Sequence, residues 1–253
     1  MLKSIILIPS RLAATRLPNK PLLKIKGKSL ISLVYKNAAN FKAGDVYVVT
    51  GDKKILSNVK KEGGKAILTK KKHKTGTDRI FEATQRLKNL RYDYVLNLQG
   101  DEPNIDIKDI KKLVKLTKKN KFGMATLACK ISNLKETKDK NLVKVLTKKK
   151  LNFKNFSTAQ YFYRKTTFKN LDNLYHHIGV YIYKKDILKK IVSLNQTISE
   201  KKLKLEQLRA LDNKIPIHVI LAKKKPIGVD TLKDYLKIKK LLEKKDKKNI
   251  RKI

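Results

Sequence analysis

The chain has 253 residues, of which 41% are hydrophobic, enough to bury the core of one large domain or of a domain with an inserted lobe. Its formal net charge is +42, and of 63 basic residues 55 are lysine and 8 are arginine. The single cysteine, Cys129, excludes an internal disulfide and is expected to be a buried small hydrophobe. No apolar run approaches the roughly 18 residues of a membrane span, and we expect no signal peptide. A cytoplasmic protein without membrane insertion is predicted.

The positive charge has two interpretations. Specific nucleic-acid binding normally places arginine and aromatic residues together on one basic face. Here lysine is scattered over nearly every polar position, with short runs at 70–72, 148–150 and 223–225. The scatter favours a general drift of composition towards lysine, with only non-specific attraction to polyanions. A basic nucleic-acid-binding protein remains the alternative from another functional class.

Strand and helix patterns alternate in the first half of the chain. It opens with a β-branched apolar run, Ile5–Ile8, which predicts a buried strand, and Pro9 is expected to end that strand because it has no backbone N–H. Further strands are predicted at 45–50, 66–69 and 94–98, and helices at 29–40, 52–62, from 77 or 78 onward, and at 107–120. The predicted helix caps are Ser29, Asp52, and Thr77 or Asp78. Such βαβ units predict an α/β fold with a mostly parallel sheet.

The pattern becomes richer in strands after Gly123. Strands are predicted at 124–131, 141–147, 152–157, 177–183 and 217–222, and helices at 203–211 and 232–244. We predict a single domain over residues 1–253, in which 1–129 and 223–253 form a core and 130–222 form a smaller β-rich lobe.

The loop after the first predicted strand carries three cations, Arg11, Arg16 and Lys20. Open α/β sheets bind ligands just beyond the carboxyl ends of their strands. Three cations and several backbone donors suit a polyanion such as a nucleoside triphosphate. The alternative is a solvated basic loop.

Acidic residues occupy two turns that contain glycine. Asp101 and Glu102 follow Gly100 at the end of the strand predicted at 94–98, and Asp230 lies in the turn after the last predicted strand. Magnesium prefers one or two carboxylates, with phosphate oxygens and water as its other ligands. The alternative is that these acids stand at helix N-termini, where Asp230 would share a capping role with Thr231.

Five motifs, in order, resemble the 3-deoxy-manno-octulosonate cytidylyltransferase (CMP-Kdo synthetase) family over roughly residues 3 to 240. They are Arg11–Pro21 (RLAATRLPNKP), His73–Arg79 (HKTGTDR), Gln99–Pro103 (QGDEP), Leu205–Arg209 (LEQLR) and Gly228–Thr231 (GVDT). The resemblance implies a Rossmann-like nucleotide-diphospho-sugar transferase fold. It also implies Mg²⁺-dependent transfer of CMP from CTP to Kdo for lipopolysaccharide synthesis, with release of pyrophosphate, by a homodimer without a specific nucleic-acid partner. A cytidylyltransferase for another acidic sugar, such as 8-amino-Kdo or a nonulosonate, is the alternative within this class.

The resemblance also implies roles for individual residues. The triphosphate and catalytic residues are Arg11, Arg16, Lys20 and Asp101, and the metal ligands are Asp101 and Asp230. The nucleotide-binding residues are Pro9, Ser10, Arg11, Lys20, Thr75, Gly76, Arg79, Gln99 and Gly100. The sugar-binding residues are Gln99, His177, Tyr181, Glu206 and Gln207. One position departs from the family: Thr158 stands where an arginine is expected to grip the sugar carboxylate, so sugar binding should be weaker unless another cation, such as Arg164, substitutes.

Overall fold

The computed structural model describes residues 3–13, 16–168 and 171–250, so Ala14 and Thr15 of the predicted phosphate loop lie outside the described residues. In chain order the strands are β1 (Ser4–Ser10), β2 (Lys24–Ile25), β3 (Lys28–Ser29), β4 (Asp45–Thr50), β5 (Ala66–Leu68), β6 (Tyr94–Asn97), β7 (Met124–Lys130), β8 (Lys144–Thr147), β9 (Phe156–Tyr163), β10 (Leu174–Lys184) and β11 (His218–Leu221). The α-helices are α1 (Leu30–Ala39), α2 (Lys53–Lys61), α3 (Gly76–Arg86), α4 (Ile107–Lys119), α5 (Lys135–Lys138), α6 (Lys185–Ser193), α7 (Ile198–Leu203), α8 (Gln207–Asp212) and α9 (Leu232–Ile250).

The chain divides into two compact units. The first unit comprises Ile6–Arg86, Gln99–Ile107 and Pro226–Ile253, and the second unit comprises Met1–Ile5, Leu87–Leu98 and Lys108–Lys225. The division into a core and a lobe that the sequence suggests stays a prediction. Among the described residues, no helix is both long and apolar enough to cross a membrane.

The first unit contains parallel strands joined by helices. The strands lie in the order β5-β4-β1, and β4 pairs with β5 in parallel, as the βαβ pattern predicted. The predicted cap of α1 is confirmed, because the Ser29 hydroxyl accepts a hydrogen bond from the Ser32 amide at 3.4 Å. The prediction that Pro9 ends β1 is wrong, since the strand continues to Ser10. Proline removes one donor, but its fixed φ remains compatible with extended backbone.

Two predicted caps differ from the structure. Asp52 precedes α2 but makes no capping hydrogen bond there; its Oδ2 instead accepts one from the Leu12 amide at 3.0 Å. At α3 the capping residue is Thr75. Its Oγ1 accepts from the Asp78 amide at 3.1 Å, and Asp78 Oδ2 accepts from the Thr75 amide at 3.0 Å. This reciprocal pair satisfies two amides that the helix itself cannot bond.

A buried apolar cluster fixes the loop region and the last helix of the first unit. Its members come from distant parts of the chain and are Leu17, Ile25, Leu30, Val229 and Ile238. Burial of this apolar surface holds the segment before Lys20 against the segment before Asp230. Two short polar turns that are far apart in sequence are therefore fixed close together.

The second unit contains a mixed sheet in the order β6-β10-β7-β11-β9-β8. Strand β10 runs antiparallel to β6, β7 and β8, whereas β11 runs parallel to β7. The α/β class is thus confirmed, as is the burial of Cys129. The single helix predicted at 203–211 is wrong: α7 ends before Lys204, whose φ of +52° breaks the helix, and α8 begins at Gln207. Apolar spacing continues through this break, so periodicity alone does not detect it.

Candidate active site

Local backbone geometry fixes Lys20 in the first unit. The preceding residue, Asn19, adopts a left-handed conformation with φ of +55°, which asparagine tolerates better than most residues. A 3₁₀ turn, Lys20–Leu22, follows, with Pro21 buried inside it. The Lys20 side chain is consequently only 15% exposed.

Two predicted phosphate-binding cations and both predicted metal ligands meet at one place in the first unit. The Nζ atom of Lys20 lies 2.7 Å from Asp101 Oδ2 and 3.3 Å from Asp230 Oδ1, and Arg16 Nη2 lies 3.2 Å from Asp230 Oδ2. Burial lowers the pKa of Lys20, but the carboxylates of Asp101 and Asp230 outweigh it and hold the pKa above its ordinary value. Lys20 is therefore a firmly charged ammonium ion.

Close backbone packing positions Asp101. A Cβ atom on Gly100 would lie 2.9 Å from the Pro9 carbonyl oxygen, so a side chain would displace the backbone at the end of β1. The carbonyl oxygen of Asp101 accepts a hydrogen bond from the Val229 amide at 3.0 Å, which ties the two acidic turns together. The spacing of the two carboxylates is thus set by main-chain contacts.

The cap of α9 is formed by Thr231, without the Asp230 side chain. Thr231 Oγ1 accepts from the Asp234 amide at 3.2 Å, while Asp234 Oδ2 accepts from the amide and the hydroxyl of Thr231 at 2.9 and 2.8 Å. The capping alternative for the Asp230 carboxylate is therefore not what the structure shows. That carboxylate faces Arg16 and Lys20 instead.

The chemistry of the donor set is compatible with a magnesium ion. Asp101 and Asp230 already share one cation, the Lys20 ammonium group, so their oxygens converge on one point. Within the described residues, no group of three or more His, Cys, Asp and Glu side chains could hold a metal. Two carboxylates, with phosphate oxygens and water as further ligands, is the arrangement that Mg²⁺ prefers.

Glu102, next to Asp101, has a different environment. Its Oε2 is buried and has no hydrogen-bond partner among the described residues. Burial first, and then the charges of Asp101 and Asp230, raise the pKa of Glu102 to about 8. Glu102 is therefore mostly protonated at neutral pH and adds little negative charge to the cluster.

The remaining predicted nucleotide residues lie elsewhere in the first unit. Arg11 is exposed. Arg79 is buried, and its guanidinium donates to Thr69 Oγ1 at 2.6 Å and to the carbonyl oxygens of Lys70 and Lys71 at 3.0 and 3.2 Å. Burial, opposed by Asp52 and Glu82 and reinforced by Arg11, lowers the pKa of Arg79.

These positions show how the first unit orders its loops. Arg79 holds the loop after β5, while Thr75 caps α3, so both side chains have structural partners. Pro9 and Ser10 are the last residues of β1, and Gly100 packs against Pro9. Gln99 directly precedes Gly100, and Gly76 directly precedes Thr77. The sequence did not predict that Asp52 anchors the loop after β1, because its position before a helix predicted a cap.

The second unit brings together three of the predicted sugar-binding residues. The rings of His177 and Tyr181, both on β10, have centroids 5.3 Å apart. Burial, and then the charges of Tyr183 and Glu206, raise the pKa of Tyr181, so Glu206 acts electrostatically on this phenol. Gln207 is the first residue of α8 and is buried.

Three buried polar atoms in the second unit lack a hydrogen-bond partner among the described residues: Tyr181 Oη, Gln207 Nε2 and Asn97 Oδ1. Buried polar atoms are nearly always bonded, so these three are candidates for hydrogen bonds to a ligand or to water. Asn97 lies directly opposite Tyr181 in the β6–β10 register, so the two side chains share one face of the sheet. The sequence analysis missed Asn97, although an amide inside an otherwise apolar strand was a usable signal.

The structure shows where Thr158 lies, the residue that stands where the family has an arginine. Thr158 lies on β9 opposite His218. Arg164, which directly follows the same strand, donates from Nε to the Leu203 carbonyl at 3.0 Å and from Nη2 to the Lys204 carbonyl at 2.9 Å. Its guanidinium therefore lies at the α7–α8 break, close in sequence to Glu206 and Gln207.

A cationic loop after the first strand, joined to carboxylates on two glycine-containing turns, is typical of nucleotidyltransferases. The sequence matches the cytidylyltransferase family over residues 5–223. The 3-deoxy-manno-octulosonate cytidylyltransferase of Paramagnetospirillum magneticum is 37% identical over 243 residues, covering 96% of this chain and 98% of that relative. The enzyme of the same name from Brucella anthropi is 39% identical over 234 residues, covering 92% and 94%. The chain belongs to the cytidylyltransferase family.

Solved structures agree with this assignment. The structure of CMP:2-keto-3-deoxy-manno-octonic acid synthetase complexed with CTP matches with a TM-score of 0.85 and 33% identity, covering 96% of this chain and 99% of that chain. A UDP-glucose pyrophosphorylase complexed with UDP-glucose matches with a TM-score of 0.68 and 17% identity, covering 97% and 100%, and shows a shared fold. The fold is therefore that of nucleotide-diphospho-sugar transferases, as predicted.

Proposed function

We propose that this protein transfers CMP from CTP to 3-deoxy-D-manno-octulosonate (Kdo), giving CMP-Kdo and pyrophosphate. The observation that carries this proposal is the convergence of Lys20 and Arg16 on Asp101 and Asp230 within the first unit. It supplies cations for a triphosphate beside carboxylates for a metal. Relatives of matching length are named for this reaction, and the similar solved structure holds CTP.

The cations of the first unit would bind the triphosphate and stabilise the charge that develops on it. In the structure Lys20 is held by Asp101 and Asp230, and Arg16 by Asp230, at the position proposed for the metal. Binding of the metal and the triphosphate would move the Lys20 ammonium group from the carboxylates to the phosphates, where it would stabilise the charge that develops in the transition state. Arg11, exposed in the same loop, is available to a phosphate. A Mg²⁺ ion held by Asp101 and Asp230 would polarise the α-phosphate and lower the pKa of the attacking sugar hydroxyl.

The second unit would bind the acceptor sugar. Its unbonded buried groups, Asn97 Oδ1, Tyr181 Oη and Gln207 Nε2, together with His177, match the hydroxyl-rich surface of a sugar in donor and acceptor types. Arg164, which directly follows β9, is the described arginine nearest in sequence to Thr158, where the family has an arginine, and it would supply the positive charge for the sugar carboxylate.

We test the proposal by pyrophosphate release with CTP, Mg²⁺ and a panel of acidic sugars. Turnover of Kdo is expected, and turnover of only 8-amino-Kdo or a nonulosonate would assign another acceptor. Asp101→Asn and Asp230→Asn should each lower kcat at least about 100-fold, because each removes a metal ligand. Asp172→Asn, whose carboxylate pairs with the exposed Lys150, is the matched control and should leave kcat unchanged.

Two outcomes would contradict the proposal. One is that no sugar of the panel is turned over, with or without Mg²⁺. The other is tight, salt-dependent nucleic-acid binding that Asp101→Asn leaves intact, which the alternative of a basic nucleic-acid-binding protein predicts.

We also propose that the enzyme acts as a cytoplasmic homodimer in lipopolysaccharide synthesis. This part is supported by the family resemblance of the sequence motifs. Sedimentation at moderate salt tests the oligomeric state, because a charge of +42 per chain opposes association at low ionic strength.

A further inference from the structure

A β-bulge with two extra residues interrupts β10 opposite Thr126 in the second unit. In the register between β10 and β7, Ile178 faces Leu127 but Tyr181 faces Thr126, so Gly179 and Val180 are extra residues on β10. The carbonyl oxygens of Ile178 and Val180 turn towards Thr126 Oγ1, at 3.2 and 2.7 Å. The single hydrogen of this buried hydroxyl is thus directed at the carbonyl oxygens of the bulge, with Val180 as the nearer acceptor.

The same hydroxyl fixes the hydrogen-bonding state of His177. Thr126 Oγ1 lies 3.0 Å from His177 Nε2. A threonine hydroxyl has one hydrogen, and the bulge carbonyls, which can only accept, take it. Thr126 must therefore accept from His177, so Nε2 carries the hydrogen and Nδ1 keeps its lone pair.

The surroundings of His177 favour this neutral form. Burial, and then the neighbouring His176, lower the pKa of His177 to about 3, so the ring is uncharged at neutral pH. Phe162 packs edge-on against the ring with centroids 5.1 Å apart. Among the described residues, no group forms a hydrogen bond with His177 Nδ1. The Tyr181 ring lies next to the His177 ring, and its hydroxyl also has no hydrogen-bond partner among those residues.

We propose that Thr126 is a positioning residue, which holds His177 as the Nε2–H tautomer so that Nδ1 accepts a hydrogen bond from a hydroxyl of the acceptor sugar. This inference rests on the proposed function, because it takes the β10 face to be the sugar site. Thr126 itself would not contact the sugar; its bonds to the bulge and to His177 are already made. Thr126 would thereby favour sugars that place a hydrogen-bond donor, such as a hydroxyl, at this position over sugars that place only a hydrogen-bond-accepting group there.

The first test reads the tautomer without any substrate. Long-range ¹H–¹⁵N NMR distinguishes the two nitrogens of a neutral imidazole, and His177→Gln assigns the signal among the four histidines of the chain. Wild-type His177 should be the Nε2–H tautomer. Thr126→Val, which keeps the shape and removes the hydroxyl, should give a mixture of tautomers, and Thr126→Ser should restore the wild-type signal.

The second test measures steady-state kinetics of the same variants. Thr126→Val should raise KM for the sugar about tenfold, the order expected for one lost hydrogen bond, with KM for CTP unchanged, and Thr126→Ser should recover most of it. The matched control is Thr117→Val, because Thr117 Oγ1 is equally buried but has no hydrogen-bond partner among the described residues. Thr117→Val should change neither KM nor the tautomer.

The outcomes separate this inference from the proposed function. An Nδ1–H tautomer in the wild-type protein, or an unchanged sugar KM in Thr126→Val, would overturn the role of Thr126 while Kdo turnover stands. Absence of wild-type turnover on any acidic sugar would overturn the proposed function and the sugar contact of Nδ1 with it, while the NMR result would still decide the tautomer. Equal increases in the KM values for sugar and for CTP in Thr126→Val would also overturn the role of Thr126, since they would indicate a general structural defect.

Discussion

The buried ion pair between Glu200 and Arg209 joins α7 to α8 and can be tested by mutation. Arg209 Nε lies 2.9 Å from Glu200 Oε2, and Arg209 Nη2 lies 2.7 Å from Glu200 Oε1. Both side chains are only 3% exposed. Arg209→Met would leave the Glu200 carboxylate with the Gln196 amide at 3.1 Å as its remaining side-chain donor. Because a buried charge then has no counter-charge, we expect a loss of about 3 to 5 kcal/mol in the free energy of unfolding.

A double variant separates the cost of the lone charge from the value of the pair. Glu200→Leu combined with Arg209→Met removes both charges and keeps comparable volume, so it should cost much less than Arg209→Met alone. Urea denaturation followed by circular dichroism measures each variant without the screening that guanidinium would add. The matched control is the pair Lys150–Asp172, whose side chains are 73% and 63% exposed. Lys150→Met should leave the free energy of unfolding nearly unchanged, because an exposed ion pair is screened by water.

Two results would refute this reasoning. One is a stability of Arg209→Met equal to that of the control Lys150→Met, which would show that Glu200 finds other compensation. The other is a cost of the double variant equal to the sum of the two single changes, which would show that the two charges are not coupled.

Three further predictions concern other buried positions. Gly100→Ala should lower stability by about 1 to 3 kcal/mol, because its Cβ would lie 2.9 Å from a backbone oxygen, whereas Gly228→Ala, with nothing within 4 Å, should change stability by less than about 0.5 kcal/mol in the same urea assay. Lys144→Met should cost about 2 kcal/mol, since Lys144 Nζ donates to three carbonyl oxygens at 2.6 to 2.7 Å; a change below about 0.5 kcal/mol would contradict this. The free energy of unfolding should fall as the pH decreases from about 6.5 to about 3, because unfolded His177 binds a proton in this range and folded His177 does not. His177→Gln should flatten this part of the pH profile. An unchanged slope in the variant would contradict the prediction.

Local pattern predicted most of the secondary structure but not its interruptions. The strand at Asp45–Thr50 has the predicted bounds, and the cap at Ser29 is confirmed, because both depend on residues adjacent in sequence. The break at Lys204 and the bulge at Gly179 and Val180 were not predicted. Each depends on a backbone conformation that tertiary contacts stabilise, and apolar periodicity continues through both.

The predicted caps show the same division. Asp52 has the right residue type and position for a helix cap, yet its carboxylate bonds the amide of Leu12, 40 residues away in the chain. Thr75 was assigned to the nucleotide site by resemblance, and the structure shows that its hydroxyl caps α3. Residue type defines what a side chain can bond, whereas the partner it meets is fixed only when the chain is folded.

The sequence by itself determined the chemistry available to this protein. Its motifs supplied two arginines and a lysine for phosphate, two carboxylates on glycine-containing turns, and the family to which the chain belongs. Only the tertiary structure decided that Lys20 would meet both Asp101 and Asp230, since those acids are 129 positions apart and are joined by main-chain packing and an apolar cluster. It also decided that His177 would meet Thr126, because pairing between β7 and β10 and the bulge within it create that contact. The physical reason is that both contacts depend on long-range packing and strand register, which no local pattern encodes.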